Sequence, residues 1–308
     1  MPAPRIVRFW RASGRVYPEA GPRGIIRRLR YVARARAVAP SLLGILDAPA
    51  DSALSRHVAQ RPQILGFVEA PFLNAGWDAD TRLKAFRRQF DYLQEMGPAF
   101  TFEVTESIEL PPIAALGEEY LIILDKPAWF QREGLLTLNI FRDNLRLFSL
   151  NFSFDEVRGK RAVVIGAVQG RRIDGALDEY RQLTRLAHRI RPRDLLIDIL
   201  RMIAAAVGAE RMIAVSDACR HHRHPFFGKP IGRELPLDYD AIWKDRGGVE
   251  IDGGFFELPL ERQVRALETI PPKKRAMYRL RYAMLDEVEK HIRDVLPTLR
   301  AVIRPEAD

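Results

Sequence analysis

The sequence predicts an α+β fold in which an antiparallel meander is continued by a strand–helix–strand unit, with helices before and after it. Two observations carry this. Apolar and polar residues alternate with a period of two through 148–154, the middle of three strand-like segments over 135–169, and a period near 3.6 takes over from 178 to 208. A short apolar run, Arg211–Val215, then returns to strand character. The 308 residues are 47% hydrophobic and 29% charged, an ordinary globular balance that supplies a large core and argues against disorder. The expected division is a basic helical N-terminal extension over 1–60 and a single α+β domain over 61–308.

Each element has its own signal. Arg23, Arg27, Arg28, Arg30, Arg34 and Arg36 crowd one segment with Ile25, Ile26, Leu29 and Val32 between them. At helical spacing Ile25, Leu29 and Val32 fall on one face and arginines cover most of the rest. Such a helix either lies on an acidic bilayer or packs on the domain with a solvated basic face. A second helix spans about 80–96, with Leu83, Phe86, Phe90 and Leu93 on one side and Gly97-Pro98 ending it. Phe102 and Val104 in an alternating stretch, and then 120–124, read as strands. The meander follows at 135–141, 145–154 and 162–169, with turns at Arg142-Asp143-Asn144 and Arg158-Gly159-Lys160. In its middle strand Phe148, Leu150, Phe152 and Phe154 share one face and Ser149, Asn151 and Ser153 the other, which predicts a sheet with one covered face.

Residues 178–189 read as helix. Pro192 opens another, striped by Leu196, Ile199, Leu200, Ile203 and Val207, and Gly208 stands where a terminating glycine belongs. The stretch 216–260 reads as loop. The last helix runs from about 273 to 296, with Met277, Leu280, Met284, Leu285, Val288, Ile292 and Val295 on its apolar face.

The net charge of +9 either marks anionic partners, a small molecule or an acidic lipid surface, or simply solvates the exterior. The single cysteine, Cys219, permits no internal disulfide and fits a reducing compartment. No apolar leader region and no run of about 18 apolar residues is present, so neither a secretory signal nor a spanning helix is expected. The expected location is cytoplasmic, with peripheral attachment to the inner membrane as a variant.

Several segments are similar to the VirK/YbjX (DUF535) family: VVIGAVQG at 163–170, RPRDLLIDILRMIAAAVGAERMIAVSD at 191–217, YDAIW at 239–243, DGGFFELPL at 252–260 and IPPKKRAMYRLRYAMLDEV at 270–288. The resemblance covers about 60–295. The loop ACRHHRHPFFGK at 218–229 looks like a variable, histidine-containing stretch of that family. The resemblance implies envelope functions, virulence and resistance to cationic peptides in Gram-negative bacteria, with no settled reaction and no catalytic residues to carry over.

Three constellations bear chemistry. The order of meander, helix and strand resembles the acyl-CoA N-acyltransferase (GNAT) core, in which a loop and a helix N-terminus bind the cofactor pyrophosphate. Gln169, Gly170 and Arg171 supply the loop, and Arg191 and Arg193 flank the helix start, where dipole and charge both favour a phosphate. The glycine-rich signature of those enzymes is missing, and an extra helix intervenes. The expected cofactor is an acyl-CoA or another phosphate-bearing donor. His221 and His222, just past the strand ending at Val215, are the catalytic candidates, as bases that deprotonate an acceptor amine, with a peptide among the acceptors. This acyl or aminoacyl transferase reading expects a cleft open at the Val215 end with Arg191 and Arg193 lining it.

The second constellation is an anion or substrate site at the start of the last helix, formed by Lys274, Arg275, Tyr278, Arg279 and Tyr282. Cations there oppose the helix dipole and call for a compensating anion. The third is a metal site at His221 and His224, completed by Cys219 or Asp217. Two alternatives to the transferase therefore stand: a non-catalytic peripheral membrane or partner-binding protein, and a metal-dependent enzyme. No P-loop, G-x-S-x-G, H-E-x-x-H or G-x-G-x-x-G is present, and the apolar stripes of 176–208 argue against sequence-specific nucleic-acid binding.

Overall fold

The computed structural model describes residues 3–97, 99–171, 174–228 and 237–303. Four helices come first: α1 (Arg5–Val16), α2 (Pro22–Ala37), α3 (Ala39–Leu46) and α4 (Ala53–Gln60). Helix α5 (Ala79–Met96) leads into β1 (Glu106–Glu109), β2 (Tyr120–Asp125), β3 (Leu136–Arg142), β4 (Leu145–Val157) and β5 (Lys160–Gly170). Then come α6 (Ala176–Leu186), α7 (Pro192–Ala206), β6 (Arg211–Val215), α8 (Tyr239–Asp245), β7 (Val249–Ile251), β8 (Phe255–Leu258), α9 (Pro272–Val295) and β9 (Val302–Ile303). The strands form one mixed sheet in the order β7-β8-β6-β5-β4-β3-β2-β1-β9. Among the described residues its one parallel pair is β5 with β6; β2 to β5 are the antiparallel meander.

Local chemistry explains the well-placed elements. Arg158 and Gly159 both have positive φ (56° and 73°), the two-residue turn that matches the twist of a hairpin. Asp78 caps α5 by accepting from the Thr81 amide at 2.8 Å. Pro192 is at the first turn of α7, and Gly208 past its end has a φ of 69°. Between them Leu195 to Ala204 are buried on every side, because α7 lies between the sheet and α9.

Several expectations need correction. The sheet has two covered faces. Helices α7 and α9 cover the side of Phe148, Leu150, Phe152 and Phe154, while the N-terminal helices and α5 pack toward the other. Ser149, Asn151 and Ser153 are therefore buried at 3%, 1% and 1% exposure. The donors of Ser149 and Asn151 are satisfied there: the Asn151 amide donates to Leu136 O (3.0 Å) and Thr137 Oγ1 (2.8 Å), and Ser149 donates to Asn139 Oδ1 (2.7 Å), whereas Ser153 Oγ has no partner among the described residues. Residues 99–105 form no strand; pairing begins at Glu106. Helix α6 stops at Leu186, since His188 and Arg189 adopt left-handed backbone (φ 48° and 68°). The stretch 216–260 contains α8 and the β7–β8 hairpin, which extends the sheet beside β6.

The expected N-terminal extension is packed into the body of the fold. Phe9, Tyr31, Leu42 and Ile45 share one core with Phe67, Phe72, Phe86 and the sheet residues Val164, Ile213 and Val215. Helix α2 is also turned relative to expectation. Tyr31, Val32 and Ala35 face inward, with Tyr31 donating to Leu65 O at 3.0 Å, which leaves Ile25 and Leu29 outside.

Candidate functional site

The meander and the parallel pair separate at one point. Strands β5 and β6 pair only from Ala162–Arg211 to Ile165–Ala214. At the next residue, Gly166, a bulge shifts the β4–β5 register. A Cβ on Gly166 would stand 1.7 Å from the Glu133 carbonyl oxygen, so only glycine lets the 130–135 segment press onto β5 here. That segment is tied down from the far side as well: the Leu73 amide donates to Arg132 O at 2.8 Å, and Leu73 holds a positive φ of 57°.

The gap beyond Ile165 is filled, against the expectation of an open cleft at the Val215 end. Tyr239 of α8 donates its hydroxyl to Val168 O (3.1 Å) and accepts from Val168 N (2.9 Å), satisfying the free edge of β5. Trp243 donates Nε1–H to Val215 O at 2.8 Å. Both rings are essentially unexposed, at 1% and 0%, and they stack edge to face with centroids 5.5 Å apart. Buried strand edges need hydrogen-bond partners, and α8 provides them with side chains.

Open space lies instead beside the outer ends of β4 and β5. A cavity of about 630 Å³ is bounded by Arg146, Leu147 and Ser149 of β4, Val168, Gln169 and Gly170 of β5, and Arg171. Trp129, Phe130, Glu133, Arg220, His222 and Leu237 complete the lining. A bulge in β4 between Arg146 and Phe148 brings Arg146 to the polar side of the sheet. There it pairs with Asp125 at 2.8 Å and lies 5.3 Å from the Trp129 ring, so its charge is already matched.

Glu133 is the chemically unusual group. Its side chain is only 13% exposed and faces His221, with Nδ1 3.3 Å from Oε1. Burial pushes its carboxyl up to about 8, only partly offset by the positive charges of Arg220 and Arg132. The neighbouring imidazoles move the opposite way. Burial, then the mutual influence of His222 and nearby arginines, takes His221 down to about 3; burial and Arg220 take His222 to about 4. His221 and His222 stack perpendicular at 5.1 Å, and His222 Nε2 is buried with no hydrogen-bond partner among the described residues. His224 turns back on its own loop, accepting from the Phe226 amide at 3.0 Å. Among the described residues no three His, Cys, Asp or Glu side chains converge to hold a metal ion. Lys229, the last residue of the expected histidine stretch, lies outside the described residues.

A second cavity, of about 520 Å³, shares Leu237 with the first. Leu177, Tyr180, Arg181, Thr184 and Arg185 of α6 form one side, and Arg189, Arg191, Pro192 and Arg193 at the start of α7 the other. Arg181 pairs with Asp178 and Arg193 with Asp194. Among the described residues no carboxylate pairs with Arg185, Arg189 or Arg191. The structure thus brings Gln169, Gly170 and Arg171 to the first cavity and Arg191 and Arg193 to the second, with His222 reaching the first and His221 set behind Glu133.

Of the anion group expected on α9, Tyr278 and Tyr282 pack edge to face at 5.8 Å and line one cavity. Lys274 and Arg279 are exposed, Arg275 donates to Ile270 O (2.9 Å) and Glu268 O (3.3 Å), and the Tyr282 hydroxyl bonds the Arg265 backbone. Tyr278 carries Arg281 on its ring at 4.4 Å. Sequence reasoning missed Glu133, whose only local signal is an acidic residue in the Gln131-Arg132-Glu133-Gly134 turn before an apolar strand.

Comparison with known proteins adds a family but no activity. A family model described as "Protein of unknown function (DUF535)" matches residues 22–294. The chain is 27% identical over 238 residues to "Uncharacterized protein YbjX" of Escherichia coli (strain K12), spanning 75% of this chain and 72% of that protein. It is 36% identical over 135 residues to an "Uncharacterized protein" of Haemophilus influenzae (strain ATCC 51907 / DSM 11121 / KW20 / Rd), 44% of each chain. No solved structure matches. No helix among the described residues is long and apolar enough to cross a membrane.

Proposed function

The chain belongs to the DUF535 family, and from that premise we propose that it is a group-transfer enzyme that moves an acyl or aminoacyl group from a phosphate-bearing donor to an amine. The observation that carries this reading is the pair of adjoining cavities, one lined by unpaired arginines at a helix start and the other containing a buried carboxyl titrating near neutrality. The parallel β5–β6 pair that parts at a bulge, with α7 starting beside it, supports a GNAT-like core. Two features depart from that core: α6 is inserted ahead of α7, and the gap between the strands is plugged by Tyr239 and Trp243. A donor chain lying in that gap is therefore discarded. In the revised reading Arg185, Arg189 and Arg191, with Arg193, hold the donor phosphates, and the donor passes Leu237 to present its carbonyl over Gln169 and Gly170.

Glu133 takes over the role first assigned to His221 and His222. A base must be unprotonated before the step and bind the amine proton during it. Imidazoles at about 3 and 4 bind a proton too weakly, whereas the Glu133 carboxylate, whose acid titrates near 8, binds it strongly and becomes available as pH rises toward that value. The amine nitrogen attacks the donor carbonyl, forming a C–N bond. The carbonyl bond to the donor's sulfur or oxygen breaks, and the amine proton passes to Glu133 and on to solvent as the donor fragment leaves. His222 lines the same cavity, with its Nε2 buried and unpartnered among the described residues.

The test is a thermal-shift titration of tag-free protein with acyl-CoAs and aminoacyl esters of nucleotides. Binding to the folded state alone at about 100 times Kd raises stability by about 2.7 kcal/mol. Stabilisation by such donors that disappears in Arg189→Ala with Arg191→Ala supports the proposal. No stabilisation by any phosphate-bearing donor, or stabilisation indifferent to those arginines, overturns it.

A further inference from the structure

Helices α1 and α2 present a surface that the group-transfer reading does not use. From Arg5 to Arg36 the chain carries ten arginines and one acidic residue, Glu19. The inward arc of α2 is Gly24, Tyr31, Val32 and Ala35. Beside it, at helical spacing, lies an apolar stripe of Ile25, Ile26 and Leu29, exposed at 50%, 57% and 56%. Next round the helix comes a line of arginines, Arg23, Arg27, Arg30 and Arg34, at spacings of four, three and four. Arg27 reaches Glu19 and Arg34 reaches Glu69, but among the described residues no carboxylate pairs with Arg23, Arg30 or Arg36. Helix α1, packed against α2, adds Ile6 and Val7 at 50% and 37% exposure.

Three large aliphatic side chains in a row, open to water beside a line of cations, fit a surface that is apolar just below an anionic layer. We propose that the α1–α2 hairpin docks the protein on an acidic lipid bilayer, with Ile25, Ile26 and Leu29 entering the headgroup boundary and the arginine line lying along the phosphates. Charge complementarity selects this occupant. A second copy of the chain would bring the same arginine line against itself, and a polyanion without an apolar layer would leave the aliphatic stripe in water.

The experiment uses the full chain with vesicles of phosphatidylcholine alone or mixed with phosphatidylglycerol, read by co-sedimentation. The expected result is binding to the mixed vesicles only, reversed by salt. Ile25→Ser with Ile26→Ser and Leu29→Ser should weaken it about tenfold or more at unchanged net charge. Arg23→Gln with Arg30→Gln and Arg36→Gln should weaken it comparably. All six positions are exposed, so unchanged circular dichroism is expected to accompany both losses. Absence of binding to acidic vesicles overturns the proposal. So does binding lost with the arginines but untouched by the serines, which would be plain polyanion affinity. A dimer in sedimentation velocity that the serines dissolve would assign the stripe to a second copy instead.

Discussion

Glu133 owes its behaviour to its place between β5 and the histidine loop, and its titration gives a sharp prediction. The native carboxyl protonates near 8 and an unfolded glutamate near its ordinary 4.5, so between those values the folded protein holds the extra proton. Wild-type stability is therefore penalised progressively as pH rises from about 4.5 to 8 by this group. Glu133→Gln cannot ionise, so its melting temperature relative to wild type should climb across that window and level off above it. Parallel melting-temperature curves for the two proteins would refute the assignment. If Glu133 is also the base, the transfer rate of the wild type should rise with pH toward 8, and Glu133→Gln should lose about 100-fold or more. Tyr239 is a second test at this scale. Tyr239→Phe leaves Val168 N and O without their partner inside the core and should cost about 1–3 kcal/mol in urea unfolding. A neutral result would mean that water replaces the hydroxyl and the gap is accessible after all.

Among elements, α7 is the most constrained. Its Asp198 is buried with Arg201 at 2.6 Å and also meets Arg246 of the α8–β7 turn, while Arg201 donates to Pro259 O at 2.9 Å. Asp198→Ala would leave two guanidinium groups without their carboxylate, and a loss of about 3–5 kcal/mol is expected from chemical denaturation. A loss below about 1 kcal/mol would show that the cluster is solvated. Element boundaries show where sequence reading succeeds. Turns and caps were legible because one residue type decides them: Gly159, Pro192, Gly208 and the alternation of Phe148 to Phe154 each act locally. The rotation of α2 was not legible. Ile25 and Leu29 are as hydrophobic as Tyr31 and Val32, and only the packing of α1 and the Tyr31 bond to Leu65 O choose which arc turns inward. The same holds for Ser149 and Asn151, whose polarity reads as solvent exposure until Asn139 and Thr137 are seen opposite them.

At the scale of the whole molecule, the N-terminal helices and the sheet share a core, so they should unfold together. Trp10 lies on α1 and Trp243 beside β6, and variants retaining only one of these tryptophans should report coincident urea midpoints. Separate transitions would restore an independent N-terminal unit. The sequence by itself determined the α+β class, the meander and its turns, the strand at β6, the arginine-rich start and the family, since period, turn chemistry and charge are properties of neighbouring residues. Tertiary structure alone decided the candidate site. Glu133 is unremarkable in the chain, and its titration near neutrality arises because Gly166 lets its turn press onto β5 while the histidine loop, 88 residues later, closes over it. Desolvation depends on everything that surrounds a group, and that surrounding is assembled from segments that no local pattern connects.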